Sequence, residues 1–431
     1  MNKKINIAIV GFGNIGSYFY RTLQKNKKII AKKTGKIPII KFISAKSLNK
    51  KRKIKLPKSK WFKNPLKLVL RKDVDVVVEL VGGSESVAKK VVFTALKNKK
   101  HVITANKALI AKNGESLSLL AEKNKVNLEF EASVGGGIPV LRSIKDGLST
   151  NKINKVVGIL NGTCNYILSK METSKDTFSN VLKKAQLLGY AEPRNPKFDL
   201  NGSDTLSKVR ILSSLAFNTK ISKNKCLLNG IENIEAEDIE MADSLEYKIK
   251  LLGITEIIDN KLFERVHPCL VKKNAYIANV NGVMNAIIIE GSPVGQSILQ
   301  GEGAGPGPTS SALVSDLLSI LRGNIKYPFA LPHNKRKSIS PYDKNKYLNS
   351  FYLRFLVKDK PGVLSSITKV FTKYKISIKT LVQKPDKKNN KASIIIITHK
   401  NSEKNYINLL NNLSKNKFFL KKPTFIRIQK V

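Results

Sequence analysis

The chain has 431 residues, 42% of them hydrophobic and 25% charged, a balance that excludes a wholly disordered chain, a collagen or a disulfide-stapled miniprotein. Lys and Arg number 78 against 31 Asp and Glu, a formal charge of +47, but the lysines are scattered rather than clustered with aromatics, which argues against a nucleic-acid surface. Three cysteines (Cys164, Cys226, Cys269) and four dispersed histidines make no metal-ligand spacing or disulfide framework, and no apolar run approaches the roughly 18 residues of a membrane span. The expectation is a reduced, cytoplasmic protein that binds neither nucleic acid nor membrane.

In chain order, residues 5–10 are a continuous apolar run of the kind a buried parallel strand needs. A helix over 14–25 follows, then a strand over 37–44, a Lys-rich loop over 46–60, a strand over 75–80 and a helix over 85–98. A short strand at 101–104, a helix at 113–124 and a strand at 126–131 complete the segment. This alternation predicts an α/β fold, a Rossmann-type doubly wound sheet over residues 1–133. Residues 134–330 read differently, as a second α+β domain. Strands are expected at 153–160 and 276–289, and helices around 178–188, 203–217 and 236–252. The Gly/Pro-dense stretch 301–308 precedes a helix near 309–325 that returns to the first domain. Residues 331–348, with Pro332 and Pro341, read as a linker. Residues 349–431 show the order strand, helix, strand, strand, helix, strand, which predicts a βαββαβ ferredoxin-like unit.

The sequence Gly11-Phe12-Gly13-Asn14-Ile15-Gly16 fits G-x-G-x-x-G directly after a strand and at the start of a helix. In that context the first glycine permits a tight turn, the second lets a pyrophosphate approach the backbone, and the third lets helix pack on strand. The helix N-terminus offers its free N–H groups to the phosphates. The second strand ends Phe42-Ile43-Ser44-Ala45-Lys46-Ser47, with no carboxylate for a ribose 2′-hydroxyl. Lys46, Lys50, Lys51 and Arg52 form a cationic loop there that suits a 2′-phosphate, so NADP is expected, with NAD as the alternative. Further on, Asp204 and Lys208 are four apart on a predicted helix and share one face. With Glu192 and Asp199 they can present carboxylates and an ammonium to a small zwitterion, and a lysine can pass a proton if its surroundings lower its pKa.

Several segments carry a resemblance. Ala185-x-x-x-Gly189-Tyr190-Ala191-Glu192 followed by Asn195-Pro196-x-x-Asp199-Leu200-x-Gly202-x-Asp204-x-x-x-Lys208 is similar to the signature of homoserine dehydrogenases. Thr104-Ala105-Asn106-Lys107, the run from Phe130 to Pro139, Asn161-Gly162-Thr163-Cys164-Asn165-Tyr166-Ile167 and Gly301-Glu302-Gly303-Ala304-Gly305 agree with it in order. The segment between Glu192 and Asn195-Pro196 is one residue longer than in many members. Asp359-Lys360-Pro361-Gly362-Val363-Leu364 resembles the first turn of ACT domains.

The resemblance implies the reversible, NAD(P)-dependent interconversion of L-homoserine and L-aspartate 4-semialdehyde in threonine, isoleucine and methionine biosynthesis. It implies Lys208 as catalytic acid/base and Lys107 as a second active-site lysine near the cofactor. It implies Glu192, Asp199 and Asp204 as substrate ligands, and Gly11, Gly13, Asn14, Ile15, Gly16, Lys46, Thr104, Lys107, Gly189 and Gly305 as cofactor contacts. A structural monovalent cation, sodium, would be held by Glu131 and the carbonyls of Val134, Gly136 and Ile138. L-threonine is the implied effector at the ACT unit, and a homodimer or homotetramer the implied assembly. Two other readings compete: a semialdehyde-type oxidoreductase using Cys164 as nucleophile, and a basic nucleic-acid-binding protein on a degenerate dehydrogenase fold.

Overall fold

A computed structural model describes residues 3–47, 57–323, 325–386 and 389–431. Its elements begin with β1 (Lys3–Val10), α1 (Asn14–Thr34), β2 (Lys36–Ser44), β3 (Trp61–Phe62), α2 (Pro65–Val69), β4 (Val76–Glu79), α3 (Val87–Lys97), β5 (His101–Thr104), α4 (Lys107–Lys123) and β6 (Leu128–Glu129). Then come α5 (Val140–Arg142), β7 (Lys152–Ile159), α6 (Gly162–Ser174), α7 (Phe178–Leu187), α8 (Lys197–Leu200), α9 (Ser203–Ala216), β8 (Leu227–Leu228), α10 (Ala236–Ser244), β9 (Tyr247–Ile258) and β10 (Lys261–Lys272). The chain closes with β11 (Met284–Ser292), β12 (Gly295–Glu302), α11 (Pro306–Leu321), β13 (Leu348–Lys358), α12 (Val363–Lys373), β14 (Ile378–Asp386), β15 (Lys391–Thr398), β16 (Asn401–Ser402), α13 (Glu403–Leu413) and β17 (Thr424–Ile428). Among the described residues no helix is long and apolar enough to cross a membrane.

The chain divides into two interleaved compact units. The first comprises Met1–Val156, Leu206–Asn224 and Met284–Ile339. Its six-stranded sheet has the order β3-β2-β1-β4-β5-β6, all parallel. The central strands are short apolar runs, Ile7–Val10 of β1 and Val76–Val78 of β4, buried on both faces, as helix-covered parallel strands require. Ile7 and Ile9 of β1 share a core with Phe19 and Leu23 of α1 and with Leu313 and Leu317 of α11. The N-terminal sheet is thus covered partly by a helix contributed some 300 positions later. Helix α4 starts at Lys107 rather than near 113, because the Asn106 side chain caps it by accepting from Leu109 N at 3.0 Å.

The second unit comprises Val157–Thr205, Lys225–Val283 and Ser340–Val431. A helix over 236–252 is not found: α10 stops at Ser244 and residues 247–258 form β9. Strands β9 and β10 make a twelve-pair antiparallel hairpin, turned at Asp259 and Asn260, both left-handed (φ 50 and 58). That is the backbone a two-residue hairpin turn demands. The apolar run there fits helix or strand equally by periodicity, and the turn pair decides it. Likewise 276–279 is a 3-10 turn, and the strand expected over 276–289 begins only at Met284.

Strands β13, β14, β15 and β17 with α12 and α13 realise the βαββαβ order as an antiparallel sheet β17-β13-β15-β14. Its core joins Phe351, Leu353 and Phe355 to Ile367, Phe371 and Leu409. The last strand spans Thr424–Ile428, shorter than the strand expected over 417–429 from the apolar run there. It pairs in parallel with β10 at Cys269↔Arg427 and Leu270↔Ile428, so the hairpin and the C-terminal sheet share one ladder. Arg354 of β13 reaches α10, where its guanidinium meets Asp238 at 2.6 and 3.0 Å. The stretch 331–348 carries a side chain with a structural anchor. Arg336 is 1% exposed and donates to Glu115, Ser214 and the Thr219 carbonyl.

Candidate active site

The glycine-rich turn shows three glycines in three different circumstances. Gly11 has φ +96, and a Cβ there would lie 2.7 Å from the Leu80 backbone. A Cβ on Gly16 would lie 2.5 Å from the Gly11 carbonyl oxygen. Gly13, the N-cap of α1, has nothing within 4 Å of a would-be Cβ. The first and third therefore close the turn, and the second leaves it open. No side chain caps α1, and its first turn, with Asn14 and Ile15, holds no acid. Free N–H groups and an unopposed positive helix end face that opening, which fits a pyrophosphate. Lys46 is exposed just beyond β2; Lys50, Lys51 and Arg52 lie outside the described residues.

At the ends of β4 and β5 sits a carboxylate that sequence reasoning missed. Glu79 is fully buried. One of its oxygens accepts from Val81 N at 2.6 Å and Gly82 N at 3.1 Å, and the other from Thr104 Oγ1 at 2.6 Å. Thr104 Oγ1 in turn accepts from Asn106 N at 3.0 Å, and Asn106 Nδ2 donates to the Gly83 carbonyl at 2.8 Å. The Gly82-Gly83 loop and the start of α4 are thereby tied together, and Lys107 is the first residue of that helix. The only signal in the sequence was a lone acid closing an apolar strand.

The 131–138 turn gathers buried carboxyl groups. The Glu131 carboxylate, 5% exposed, accepts from Leu141 N and Arg142 N at 2.9 Å each, and burial raises its pKa. Its own N–H donates to Asp316 at 3.0 Å. Asp316 is fully buried and pushed well upward, first by desolvation and then by the charges of Glu129 and Glu131. Gly135 and Gly136 are both left-handed (φ 72 and 57), and Gly136 lies against Gly303, whose backbone a Cβ would meet at 2.5 Å. Val134 and Ile138 flank that turn. Among the described residues no cluster of three His, Cys, Asp or Glu side chains forms a metal cage.

In the second unit Asn161, the N-cap of α6, brings two of the predicted carboxylates together. Its Nδ2 donates to Asp199 and to Asp204, 2.9 Å each, while its Oδ1 accepts from Cys164 N at 2.8 Å. One amide thus holds two carboxylates within the reach of a single small cation. Asp204 is 3% exposed, Asp199 half-buried, and Glu192 exposed in the loop after Gly189. Gly189 is left-handed (φ 75), as is Gly305 (φ 111), the N-cap of α11. Helix α9 carries Asp204 in the second unit and, one turn on, Lys208 in the first. Lys208 is buried, 8% exposed.

Two of the three cysteines, Cys164 and Cys269, are buried. Cys164 is fully buried and its thiol donates to the Asp199 carbonyl at 3.4 Å. Cys269 lies 3.1 Å from His267 Nδ1, but burial pushes the thiol up to about 12 and the imidazole well down. That pair forms no thiolate near neutrality.

Three family models cover most of the chain. Residues 11–131 match the model described as "Homoserine dehydrogenase, NAD binding domain", 139–318 match "Homoserine dehydrogenase", and 351–418 match "ACT domain". A homoserine dehydrogenase of Neisseria gonorrhoeae is 40% identical, covering 93% of each chain. Another, of Helicobacter pylori, is 38% identical over 100% of both. The crystal structure of a homoserine dehydrogenase from Thiobacillus denitrificans matches with a TM-score of 0.91 at 34% identity, covering 99% of each chain.

Proposed function

The chain belongs to the homoserine dehydrogenase family, and from that premise we propose how its parts divide the work of interconverting L-homoserine and L-aspartate 4-semialdehyde. The Gly11–Gly16 turn and the uncapped start of α1 would hold the pyrophosphate of a nicotinamide cofactor, which when bound would supply or take up the hydride. Asp199 and Asp204, held as a pair by Asn161, bind the substrate ammonium, with Glu192 closing over it from its loop. Lys208 removes the hydroxyl proton in oxidation and returns it in reduction. Lys107, with Thr104, Gly189 and Gly305, orients substrate and cofactor. The observation that carries this reading is the Asn161-bridged carboxylate pair, one helical turn before a buried lysine.

Four finer assignments extend it. The cofactor is NADP, supported by a second strand that ends without an acid and by Lys46 beyond it. A sodium ion would be held by Glu131 and the carbonyls of Val134, Gly136 and Ile138. Glu129, Glu131 and Asp316 are buried close to one another, and a cation there would favour their ionised forms. L-threonine is the effector of the C-terminal unit. The enzyme works in the cytoplasm as a homodimer or homotetramer.

One assay with four arms tests these roles: oxidation of NADPH with aspartate semialdehyde as substrate. Lys208→Ala is expected to lower kcat by about 10²–10⁴-fold, the range for a general acid/base, with an unchanged melting temperature. Turnover within threefold of the parent contradicts the role. NADH in place of NADPH should lower kcat/KM. Replacing sodium by choline should lower both activity and thermal stability, and threonine at millimolar concentration should inhibit. Each arm that shows no change removes its own assignment.

A further inference from the structure

A cavity of about 410 Å³ opens at the edge of the parallel sheet where β1, β2 and β5 begin. The phosphate cradle follows the other end of β1. Eight residues of strand at about 3.3 Å each put the two sites roughly 25 Å apart. The volume is that of a pocket for a small organic molecule.

The walls are unusual in their charge. Lys3, Lys36, Lys72, Lys99 and Lys125 all line it, and none of the five has an ion-pair partner among the described residues. Lys3 and Lys36 are register partners on neighbouring strands, where like charges repel. A sixth lysine, Lys100, is already committed: its ammonium donates to the carbonyls of Arg71 and Val74 at 2.7 Å each. The single carboxylate in the wall, Asp75, accepts from Asn6 N at 2.7 Å. His101 accepts from Asn127 N at its Nδ1, which leaves the proton of the neutral ring on Nε2 as one more donor. Asn98, Asn127 and Gly323 also line it, and the apolar part of the wall comes from Ile5, Val74, Ile320, Leu321 and Ile325, the last 59% exposed.

We propose that this cavity binds a small organic polyphosphate of the nucleoside-polyphosphate class, its apolar body on the isoleucine-leucine lining and its phosphates among the five unpaired lysines. Ammonium groups act on phosphate as point charges and need no shared plane. Five of them around one concavity carry a mutual repulsion that a multiply charged anion relieves. A monoanion relieves little of it, and an anion without an apolar part leaves Ile325 in water.

Calorimetric titration of the full chain with ATP, at a saturating concentration of NADPH, tests the proposal. NADPH fluorescence is followed in parallel, so that displacement from the cradle is seen directly. The expected result is one ATP per chain without loss of bound NADPH, and weaker binding of inorganic tripolyphosphate. ATP affinity should fall at least tenfold in Lys36→Glu/Lys99→Glu. It should stay within twofold in Lys28→Glu/Lys183→Glu, which removes the same charge from exposed positions elsewhere. Should the first pair fail to fold, Lys99→Gln/Lys125→Gln serves in its place. Four outcomes overturn the idea. No binding at millimolar ATP means that the lysines serve only the helix ends beside them. Equal losses in the two charge-reversed pairs mean diffuse attraction to a basic chain. Release of NADPH places ATP in the cradle. Equal affinity for ATP and tripolyphosphate removes the organic body from the ligand class.

Discussion

Asn161 does two jobs with one side chain, and the two can be separated. Its Oδ1 caps α6, and its Nδ2 holds Asp199 and Asp204. Asn161→Ala should cost about 1 kcal/mol of stability from the lost cap and raise KM for homoserine roughly tenfold, the effect of about 1.4 kcal/mol. Asn161→Ser should restore the melting temperature and leave KM high; if serine restores both, the amide does not organise the carboxylates. Lys250 is a second buried cation, 1% exposed. Its ammonium donates to the Val280 carbonyl at 2.7 Å and to Asn281 at 3.0 Å. Desolvation lowers its pKa from 10.5 to about 8, with Glu172 raising it and Lys248 lowering it. Below pH 8 both the folded and unfolded chains carry the charge, and the burial penalty is present in full. Between 8 and 10.5 the unfolded chain holds the extra proton, so stability rises with pH across that window. Melting curves of the parent and of Lys250→Met between about pH 7 and pH 10 should converge or cross in the parent's favour. Parallel curves would show that the amine does not titrate there. Asn161 was legible only as part of a motif and Lys250 not at all, since a cap's second partner and a buried ammonium declare themselves only through residues distant in the chain.

Elements were more legible where turn chemistry or periodicity had one solution. The glycine-rich turn after β1, the apolar parallel strands and the βαββαβ order all follow from local signals. The β9–β10 hairpin did not, because Leu251, Leu252 and Ile254 satisfy a helix and a strand equally. Only the Asp259-Asn260 pair, able to turn left-handed, distinguishes them. Contacts between elements were beyond sequence reasoning altogether. Arg354 of β13 forms a two-pronged pair with Asp238 of α10, where Tyr352 also donates at 3.1 Å. Asp238 is fully buried, so Arg354→Leu would strand its charge and should destabilise the protein by about 3–5 kcal/mol. The double variant Arg354→Leu/Asp238→Leu should recover most of that loss. Chemical denaturation of the two reads the difference, and equal losses would mean that the pair is not what holds β13 to α10.

For the molecule as a whole, the family was legible because its motifs span nearly the entire sequence, whereas the +47 charge was not informative by amount. What matters is where lysines outnumber the acids beside them, as five unpaired lysines do around Asp75. The shared β10–β17 ladder predicts that a chain cut after residue 348 is insoluble. Strand β10 is buried from Leu262 to Val271, and the cut would bare its edge. A soluble, folded product by light scattering and circular dichroism would refute this. The interleaving of the two units also sets a schedule for synthesis. Helix α11, which covers β1 and α1 with Leu313 and Leu317, leaves the ribosome about 300 residues after them, a wait on the order of tens of seconds at ordinary translation rates. Throughout that interval the nascent dinucleotide-binding half keeps a greasy flank uncovered, which makes it a client for holding chaperones until its own distant helix arrives.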